Sequence, residues 1–342
     1  MNNWQGNLLG GGSTWSLWEH VVSLSNLLNA WREFKRGKIK KIKVLEFGFD
    51  LENNLFKLHA DLVSDAYHPS SYQSFYVRDP KIRHIHKAPV LDRVLHQALF
   101  RGLYHFFDRH FIYDSYSCRF NKGVHRGVSR LESFVRKISG NYHSQSYALK
   151  CDVQKFFDNI DHAILLSLIE KVIGDSRVIT LIRSVVESFA IIPGCGLPLG
   201  NVTSQLFANI YLNELDQFIK HEIKARYYLR YCDDFVIVHQ SRDYLENLIW
   251  PISDFLKNKL NLSLHPDKII IRKLHQGIDY LGYVARPHYR VLRTRTKRRI
   301  LRRLDRDEIT PANLTSYLGV LKHCRGHKIR QHLLRSLSFG SI

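Results

Sequence analysis

Three aspartates stand where the sequence predicts that β-strands end or turn. Asp152 lies at the end of an alternating, strand-like run, residues 146–153, and Asp233 and Asp234 form the joint of a hairpin-like segment, residues 227–239. Carboxylates brought together from separate strands can hold two divalent cations, of which one lowers the pKa of an attacking hydroxyl and the other stabilises a leaving pyrophosphate. Oxygen ligands of this kind favour magnesium over zinc. Aspartates are also common at hairpin tips because they stabilise the turn, so the acidic pair by itself is also compatible with a purely structural role.

The surrounding chain alternates between segments with helical and strand-like patterns. A Gly- and Pro-rich loop at 193–200 precedes a predicted helix, which Thr203 or Ser204 would cap. No repeat with a period of about 20–50 residues is present, so a solenoid is not indicated. The remaining helices are predicted over residues 21–34, 92–107, 123–138, 163–173, 179–189, 243–260 and 290–306, and one or two more are predicted over 314–335.

Net charge is the strongest compositional signal. The 342 residues include 51 Lys and Arg against 31 Asp and Glu, a formal net charge of +20. Residues 286–342 contain fifteen Lys and Arg against three acids, and residues 32–43 contain seven against one, so the rest of the chain is nearly neutral. An excess concentrated in this way predicts a polyanionic partner such as nucleic acid. The alternative to a nucleic-acid contact is a solvated loop at residues 32–43 and a solvated charged helix in the C-terminal segment.

The cysteines and histidines give no sign of a structural metal site. The five cysteines are odd in number and form no C-x-x-C pair, and the nineteen histidines show no H-E-x-x-H spacing. With 44% hydrophobic residues the chain can bury a substantial core, but no apolar run reaches the roughly 18 residues that indicate a membrane span. We therefore expect a reduced, cytoplasmic setting without membrane insertion.

Six ordered segments carry a resemblance to a known family. Residues 231–234 (YCDD) match the YxDD signature of reverse transcriptases, and residues 150–161 (KCDVQKFFDNID) resemble their first catalytic-acid motif. Arg83 with residues 92–99, and then residues 117–123, resemble the two fingers motifs. Residues 264–268 (LHPDK) resemble the motif whose lysine approaches the leaving pyrophosphate, and residues 280–283 (YLGY) resemble the primer-grip turn.

The resemblance extends over almost the whole chain and implies a right-hand polymerase. This is an α+β fold with fingers, a palm built on an antiparallel sheet, and a small helical thumb. The implied domains are an N-terminal extension with a basic segment at 1–45, fingers at 46–145, a palm at 146–285 with a fingers insertion at about 163–199, and a basic helical thumb at 286–342.

The family's catalytic roles carry over to four side chains and one backbone carbonyl. Asp152, Asp233 and Asp234 are expected to hold two Mg²⁺ ions, for which Mn²⁺ can substitute, and the carbonyl of Val153 can add a ligand. Lys268 is expected to protonate the leaving pyrophosphate or to neutralise it.

Nucleotide binding is assigned to residues from the fingers motifs and from the catalytic-acid motif. Arg83 and Arg119 are candidates to clamp the triphosphate, because guanidinium groups offer bidentate donors to phosphate; Lys81 and Lys122 are alternatives, as is an ordinary surface role. Phe157 stands where the family places an aromatic gate against a nucleotide 2′-hydroxyl, which would select dNTPs. A core role for Phe157 is the alternative.

Residues 199–205 (LGNVTSQ) narrow the resemblance further. Most bacterial reverse transcriptases, including those of group II introns, have QGxxxSP here, whereas LGxxxSQ is similar to reverse transcriptases of diversity-generating retroelements. Leu199, Gly200 and Gln205 are therefore candidate nucleotide-binding residues. Because Leu199 has no hydrogen-bond donor or acceptor on its side chain, we expect reduced fidelity, although a packing role for it stays open. In that family the errors fall at template adenines.

Contacts to the nucleic-acid backbone are expected from the primer grip, the YxDD tyrosine and the basic C-terminal helix. Such contacts do not read sequence and are sensitive to salt. The candidates are Tyr231, Tyr280, Leu281, Gly282, Arg298, Arg299, Arg302 and Arg303.

The predicted function is RNA-directed DNA synthesis, with error-prone, adenine-mutagenic cDNA made from a template-repeat RNA in a bacterial or phage-encoded diversity-generating retroelement. The implied partners are the template RNA, an RNA–DNA or RNA-primed duplex, dNTPs, and a small basic accessory protein that forms a pentamer. Two alternatives remain: a defence-associated or retron-like reverse transcriptase without mutagenic homing, and a non-catalytic RNA-binding scaffold.

Overall fold

A computed structural model describes residues 16–78, 82–306 and 309–338 of the chain. The Gly-rich part of the predicted N-terminal extension and Lys81 lie outside these ranges. Two compact units are present, and each is assembled from two separate stretches of chain. The first contains the described residues up to Phe111 together with Phe157–Tyr211, and the second contains Ile112–Phe156 and the described residues from Leu212 onwards.

The helices and strands of the described residues follow one another in a mixed order. The helices are α1 (Leu17–Val22), α2 (Leu24–Phe34), α3 (Ile42–Phe49), α4 (Leu51–Val63), α5 (Val90–Asp108), α6 (Val124–Ile138), α7 (His162–Glu170), α8 (Ser176–Glu187), α9 (Val202–Gln217), α10 (Arg242–Asn247), α11 (Ile249–Leu260), α12 (Thr294–Asp305), α13 (Pro311–Leu321) and α14 (His327–Ser338). The strands are β1 (Gln73–Val77), β2 (Arg83–Lys87), β3 (Tyr147–Asp152), β4 (Tyr228–Tyr231), β5 (Asp234–His239), β6 (Ile270–Lys273), β7 (Ile278–Tyr280), β8 (Tyr283–Arg286) and β9 (Tyr289–Leu292).

The first unit is mainly helical. Helices α2 and α5 pack together, and the side chain of the buried Asn26 donates to the carbonyl of Ala98 across their interface at 3.2 Å. The antiparallel hairpin β1–β2 belongs to the same unit, and its register places Arg83 opposite Val77. At the end of β2, the backbone N–H of His86 donates to the carbonyl of Leu199 at 3.2 Å.

The second unit is built on two antiparallel sheets. Four strands run in the order β4-β5-β3-β6, and three form the meander β7-β8-β9. Because β3 lies between β5 and β6, it is paired on both edges by segments that come much later in the chain. One hydrophobic cluster unites α6, both sheets and the three C-terminal helices; its buried members include Leu131, Phe134, Leu229, Val236, Tyr280, Ile300, Tyr317 and Leu333.

Most predicted elements are confirmed, and two predictions near the ends of helices are wrong. The strand at 146–153 and the hairpin at 227–239 are present as β3 and β4–β5. Residues 290–292 belong to β9, so the predicted helix at 290–306 begins only at Thr294, because the alternating sequence Tyr-Arg-Val-Leu pairs with β8. Helix α9 already begins at Val202, so Thr203 and Ser204 lie buried in its first turn instead of capping it.

The predicted boundaries of extension, fingers, palm and thumb stay a prediction. Among the described helices, none is long and apolar enough to cross a membrane.

Candidate active site

The three predicted acids are brought together at one end of the four-stranded sheet. The register of β3 against β5 places Asp152 directly opposite Asp234. Asp233 lies in the two-residue turn between β4 and β5, where Tyr231 pairs with Asp234. Cys232, the first turn residue, has a left-handed backbone with φ of 56°, as tight two-residue hairpin turns require. A non-glycine residue in this conformation costs about 1–2 kcal/mol, so neighbouring groups must hold the turn in place.

Hydrogen bonds fix both carbonyls of that turn. The backbone N–H of Val153 donates to the carbonyl of Asp233 at 3.2 Å, which ties the turn to the end of β3. The Nη1 of Arg230 donates to the carbonyl of Cys232 at 3.0 Å. The turn that carries Asp233 is therefore anchored from the sheet and from a buried side chain.

Arg230 is itself held in a fully buried ion pair with Asp216, near the end of α9. Both side chains have 0% exposure. The Nε and Nη2 atoms of Arg230 donate to the two carboxylate oxygens of Asp216 at 2.8 and 2.6 Å. The hydroxyl of Tyr228 donates to the same carboxylate at 2.6 Å, and Ser115 accepts a further bond from Arg230 at 3.3 Å. Burial alone would lower the pKa of Arg230, but Asp216 raises it above its ordinary value, so the guanidinium stays charged.

Two lysines contact the acids. Lys268 Nζ lies 2.6 Å from Asp152 Oδ1, and Lys150 Nζ lies 3.2 Å from Asp234 Oδ2. Lys150 also donates to the carbonyl of Asp279 at 3.1 Å, which links the site to β7. Lys268 thus contacts one of the acids, and Lys150 supplies a second positive charge. The assignment of Lys268 to the leaving pyrophosphate stays a prediction.

Burial and mutual repulsion raise the pKa of two of these aspartates, Asp233 and Asp234. Burial raises the pKa of Asp234 to about 6 against the lowering effect of Lys150. Burial and the charge of Asp152 raise the pKa of Asp233. The Oδ1 atom of Asp234 is buried and accepts no hydrogen bond from any described group. Such an orphaned oxygen fits a hard cation as partner, although among the described residues no three His, Cys, Asp or Glu side chains are grouped so as to hold a metal ion.

The candidate primer-grip residues form the β7–β8 turn. Tyr280 pairs with Tyr283, and Leu281 and Gly282 between them have φ of 50° and 88°, as in a two-residue turn with both residues left-handed. Tyr280 is fully buried, and burial followed by the charge of Asp234 raises its pKa well above the ordinary value. Tyr231 is half-buried, and burial raises its pKa as well.

The four candidate arginines on α12 divide into two pairs. Arg298 and Arg302 are exposed and stand one helical turn apart, whereas Arg299 and Arg303 are half-buried. Arg303 donates to the hydroxyl of Tyr317 on α13 at 2.8 Å, so it takes part in packing between helices. The exposed pair is the better placed for a contact with phosphate groups.

Arg119 and Lys122 bind backbone carbonyls in the second unit. Arg119 donates to the carbonyls of Ile112 and Ser115 at 2.6 and 3.2 Å. Lys122 donates to the carbonyl of Tyr113 at 2.7 Å. Their assignment as triphosphate ligands stays a prediction.

The remaining candidate nucleotide-binding residues belong to the first unit. Arg83 is exposed at the start of β2, and Gln205 is exposed on α9. A Cβ atom at Gly200 would lie 3.2 Å from a side-chain methyl of Ile85, so β2 and the turn at Leu199 and Gly200 are close neighbours. Phe157 is half-buried in a 3-10 turn, and its carbonyl accepts from the N–H of Leu197 at 2.8 Å.

Sequence reasoning missed Arg230, Asp216 and Lys150. A charged residue within the apolar run of β4 is the signal that could have identified Arg230, because a buried charge needs a partner. Nothing in the spacing indicates that the partner is Asp216 on α9.

An antiparallel sheet that presents paired carboxylates beside a tight hairpin turn, with lysines in contact, defines the palm of a polymerase-type nucleotidyltransferase. Residues 78–285 match the reverse transcriptase (RNA-dependent DNA polymerase) family. The chain belongs to this family. The predicted right-hand polymerase fold and the predicted enzyme class, RNA-directed DNA polymerase, are thereby confirmed at the level of the family.

Similar proteins include a protein encoded in a group II intron. The chain is 24% identical to protein YkfC of Escherichia coli (strain K12), with 66% of this chain and 69% of YkfC covered. It is 23% identical to the group II intron-encoded protein LtrA of Lactococcus lactis subsp. cremoris, with 69% of this chain and 50% of LtrA covered. The chain thus spans half the length of LtrA. Among solved structures, apo telomerase from Candida tropicalis is similar at a TM-score of 0.49 and 12% identity, with 64% of this chain and 53% of that chain covered.

Proposed function

We propose that this chain copies RNA into DNA with Asp152, Asp233 and Asp234 as its metal-binding acids. The register of β3 against β5 carries the proposal, because it aligns Asp152 with Asp234 and sets Asp233 in the adjoining turn. Bound divalent ions in such a site activate a primer hydroxyl and stabilise the leaving pyrophosphate. Mg²⁺ is the expected ion and Mn²⁺ its substitute, because the ligands are carboxylate oxygens and the carbonyl of Val153.

Lys268 has a defined part in this proposal. Its ammonium group lies 2.6 Å from Asp152 Oδ1, close enough to reach a phosphate held beside that carboxylate. A lysine there neutralises the pyrophosphate or gives it a proton. Lys268→Met is expected to slow nucleotide addition at saturating dNTP more than it raises the KM for dNTP.

We further propose that the cDNA is error-prone and adenine-mutagenic, as in diversity-generating retroelements. The segment LGNVTSQ at 199–205 supports this, because an aliphatic residue stands where most related enzymes have glutamine. The carbonyl of Leu199 is engaged by His86, which fixes the backbone and leaves a side chain without hydrogen-bonding capacity. The matching partners are a template-repeat RNA and a pentameric basic accessory protein, in the cytoplasm.

Primer extension tests the polymerase proposal. The full chain is supplied with its RNA, the accessory protein, dNTPs and Mg²⁺, and Asp233→Ala is compared with the exposed control Asp254→Ala on α11. We expect cDNA from the wild type and from the control and none from Asp233→Ala. Equal synthesis by Asp233→Ala would refute the assignment of the acids, and a folded wild type without any synthesis would favour the RNA-binding scaffold.

The error spectrum tests the retroelement proposal. Deep sequencing of cDNA should give misincorporation concentrated opposite template adenines, and Leu199→Gln should reduce it. An unchanged error rate in Leu199→Gln would remove Leu199 from the explanation of low fidelity.

A second candidate function is faithful cDNA synthesis in an intron-related or retron-like setting. The identity to LtrA favours it. Uniformly low error at all four template bases would select this candidate over the mutagenic one.

A further inference from the structure

The second unit contains a groove at a distance from the acids. It lies between α6 and the turn that joins β8 to β9, with a volume of about 540 Å³, within the range of about 300–1,000 Å³ typical of ligand sites. We call it the α6 groove and define it by six of its lining residues, Arg136, Tyr142, Arg286, His288, Tyr289 and Arg290.

The floor of the α6 groove is a fixed ion pair. Arg290 forms a salt bridge with Glu132 at 2.5 Å and donates to the hydroxyl of Ser129 at 2.8 Å. Both partners lie on α6, so β9 and the helix are tied together beneath the groove. Because Glu132 is neutralised by Arg290, the acid does not repel an anion that enters from above.

The walls supply free positive charge. Arg136 and Arg286 are exposed, and neither has an acidic partner among the described residues. They stand on opposite sides of the groove, one near the end of α6 and the other at the end of β8. Guanidinium groups in this arrangement suit the oxygens of a phosphodiester.

Aromatic rings line the same groove. The rings of Tyr142 and His288 lie 4.6 Å apart, and Tyr289 stands beside them with the guanidinium of Arg325 over its ring at 4.6 Å. Tyr142 and His288 both have left-handed backbones, with φ of 72° and 64°, a cost that persists only where the surrounding structure fixes the residue. Rings held in this way offer stacking surfaces for a nucleobase.

The groove lies away from the acids, at the other end of the four-stranded sheet. The side chain of Gln240, which directly follows β5, donates to the carbonyl of Ile138 at 2.9 Å, so the end of α6 adjoins the end of the sheet where His239 pairs with Tyr147. Asp152 and Asp234 occupy the opposite end of the same strands. Six strand residues span about 20 Å, so a nucleotide in the groove is separate from the position of synthesis.

We infer that the α6 groove binds a single-stranded nucleotide of the RNA partner outside the segment being copied. Arg136 and Arg286 contact the phosphate, and the rings of Tyr142, His288 and Tyr289 receive the base. This inference rests on the proposed function, because it takes an RNA as the substrate. It adds a second contact that holds the RNA while the copied segment moves through the active site.

The test compares two substrates that differ only in a flank. One is a short, blunt RNA–DNA primer–template duplex, and the other is the same duplex with a single-stranded RNA flank. The variant is Arg136→Glu/Arg286→Glu, and the matched control is Lys257→Glu/Lys259→Glu on α11, which changes the charge equally at exposed positions.

Wild type and control should bind the flanked duplex more tightly than the blunt one. The variant should lose about 10- to 100-fold of affinity for the flanked duplex alone, and its salt slope should fall by about 0.7, the value for one single-strand phosphate. Ultraviolet crosslinking of a uridine-containing flank should label Tyr142 or Tyr289 in the wild type.

The inference would be overturned if the flank increased the affinity of the variant as much as it increases the affinity of the wild type. An equal loss on both duplexes would also overturn it, because it would mean that the groove contributes only to the overall charge. Intact RNA binding with loss of the accessory protein would assign the groove to a protein partner and also refute the inference. Extension of the blunt duplex by the wild type tests the proposed function separately. If the wild type extends this duplex, a negative binding result counts against the groove and not against the proposed function.

Discussion

Replacement of Arg230 should damage stability and DNA synthesis through two distinct contacts. Arg230→Met leaves the carboxylate of Asp216 at 0% exposure without its counter-charge. Removal of one partner of a buried ion pair costs about 3–5 kcal/mol in the free energy of unfolding. The hydroxyl of Tyr228 remains as a donor to Asp216, so the lower part of this range is expected.

The second contact concerns the turn that carries Asp233. Without Arg230 Nη1, the carbonyl of Cys232 loses the bond of 3.0 Å that holds the left-handed turn. Displacement of a reacting group by about 1 Å can lower a rate about 100-fold. We therefore expect the rate of nucleotide addition to fall about 100-fold.

A triple variant separates the two effects. Arg230→Met/Asp216→Leu/Tyr228→Phe removes the buried charges and the hydroxyl together, and replacement of a buried ion pair by apolar groups of similar volume is often neutral for stability. The urea midpoint should therefore return close to that of the wild type. The rate of primer extension should stay low, because the carbonyl of Cys232 still has no donor.

The measurements are urea denaturation and single-turnover primer extension at saturating dNTP over a range of Mg²⁺ concentrations. Arg242→Met, which removes an exposed ion pair with Glu246, is the control and should change neither quantity. A triple variant with both stability and rate restored would show that Arg230 stabilises the palm without positioning the turn. An unchanged urea midpoint for Arg230→Met would refute the estimated cost of about 3–5 kcal/mol for breaking the buried ion pair.

Three further predictions concern single residues. Burial, followed by the charge of Arg93, lowers the pKa of the fully buried His96 to about 4, whereas a histidine in the unfolded chain has a pKa near 6.5. The free energy of unfolding is therefore constant with respect to His96 above pH 6.5 and falls by about 2 kcal/mol on going to pH 5. Urea denaturation above pH 6.5 and at pH 5 should show a smaller fall in His96→Leu, and an equal fall would contradict the assignment of this effect to His96. The pKa of Asp234 is raised to about 6, so ionisation of this carboxyl destabilises the fold as the pH rises from about 4 to 6. Asp234→Asn should therefore raise the free energy of unfolding at pH 7.5 by up to about 3 kcal/mol while abolishing primer extension. A variant less stable than the wild type would count against this prediction. Gly200 has φ of 118°, and a Cβ atom there would lie 3.2 Å from Ile85. Gly200→Ala should therefore lower the free energy of unfolding by about 1–3 kcal/mol and raise the KM for dNTP. Gly174→Ala, at a position where a Cβ meets no atom within 4 Å, is the control and should change neither quantity.

The local parts of the active site were predictable because they depend on residues adjacent in sequence. Asp152 ends a strand and the Asp233–Asp234 pair occupies a turn, and both features follow from period-two patterns. The motif at 264–268 singled out Lys268, but its contact with Asp152, 116 residues earlier in the chain, was not predicted. For the aspartates, the local geometry is set within about ten residues.

The remaining contacts depend on pairings between distant segments, which spacing does not encode. Asp216 meets Arg230 because α9 packs beside the sheet, and Lys150 reaches Asp234 because neighbouring strands align in register. The strand β9 was hidden in a predicted helix, because four alternating residues are too few to outweigh the helical pattern after them. The α6 groove brings together residues 136–142 and 286–290, which no local pattern connects.

The order in which β3 finds its partners has a consequence for synthesis on the ribosome. The strand that bears Asp152 emerges early, yet its neighbours β5 and β6 follow only at 234–239 and 270–273. Until then both edges of a largely apolar strand are unpaired, and unpaired edges invite association with other chains. A nascent chain of this design folds late and through distant contacts. Fragments that stop before residue 273 should consequently aggregate, so dissection of this enzyme is better done by point substitution than by truncation.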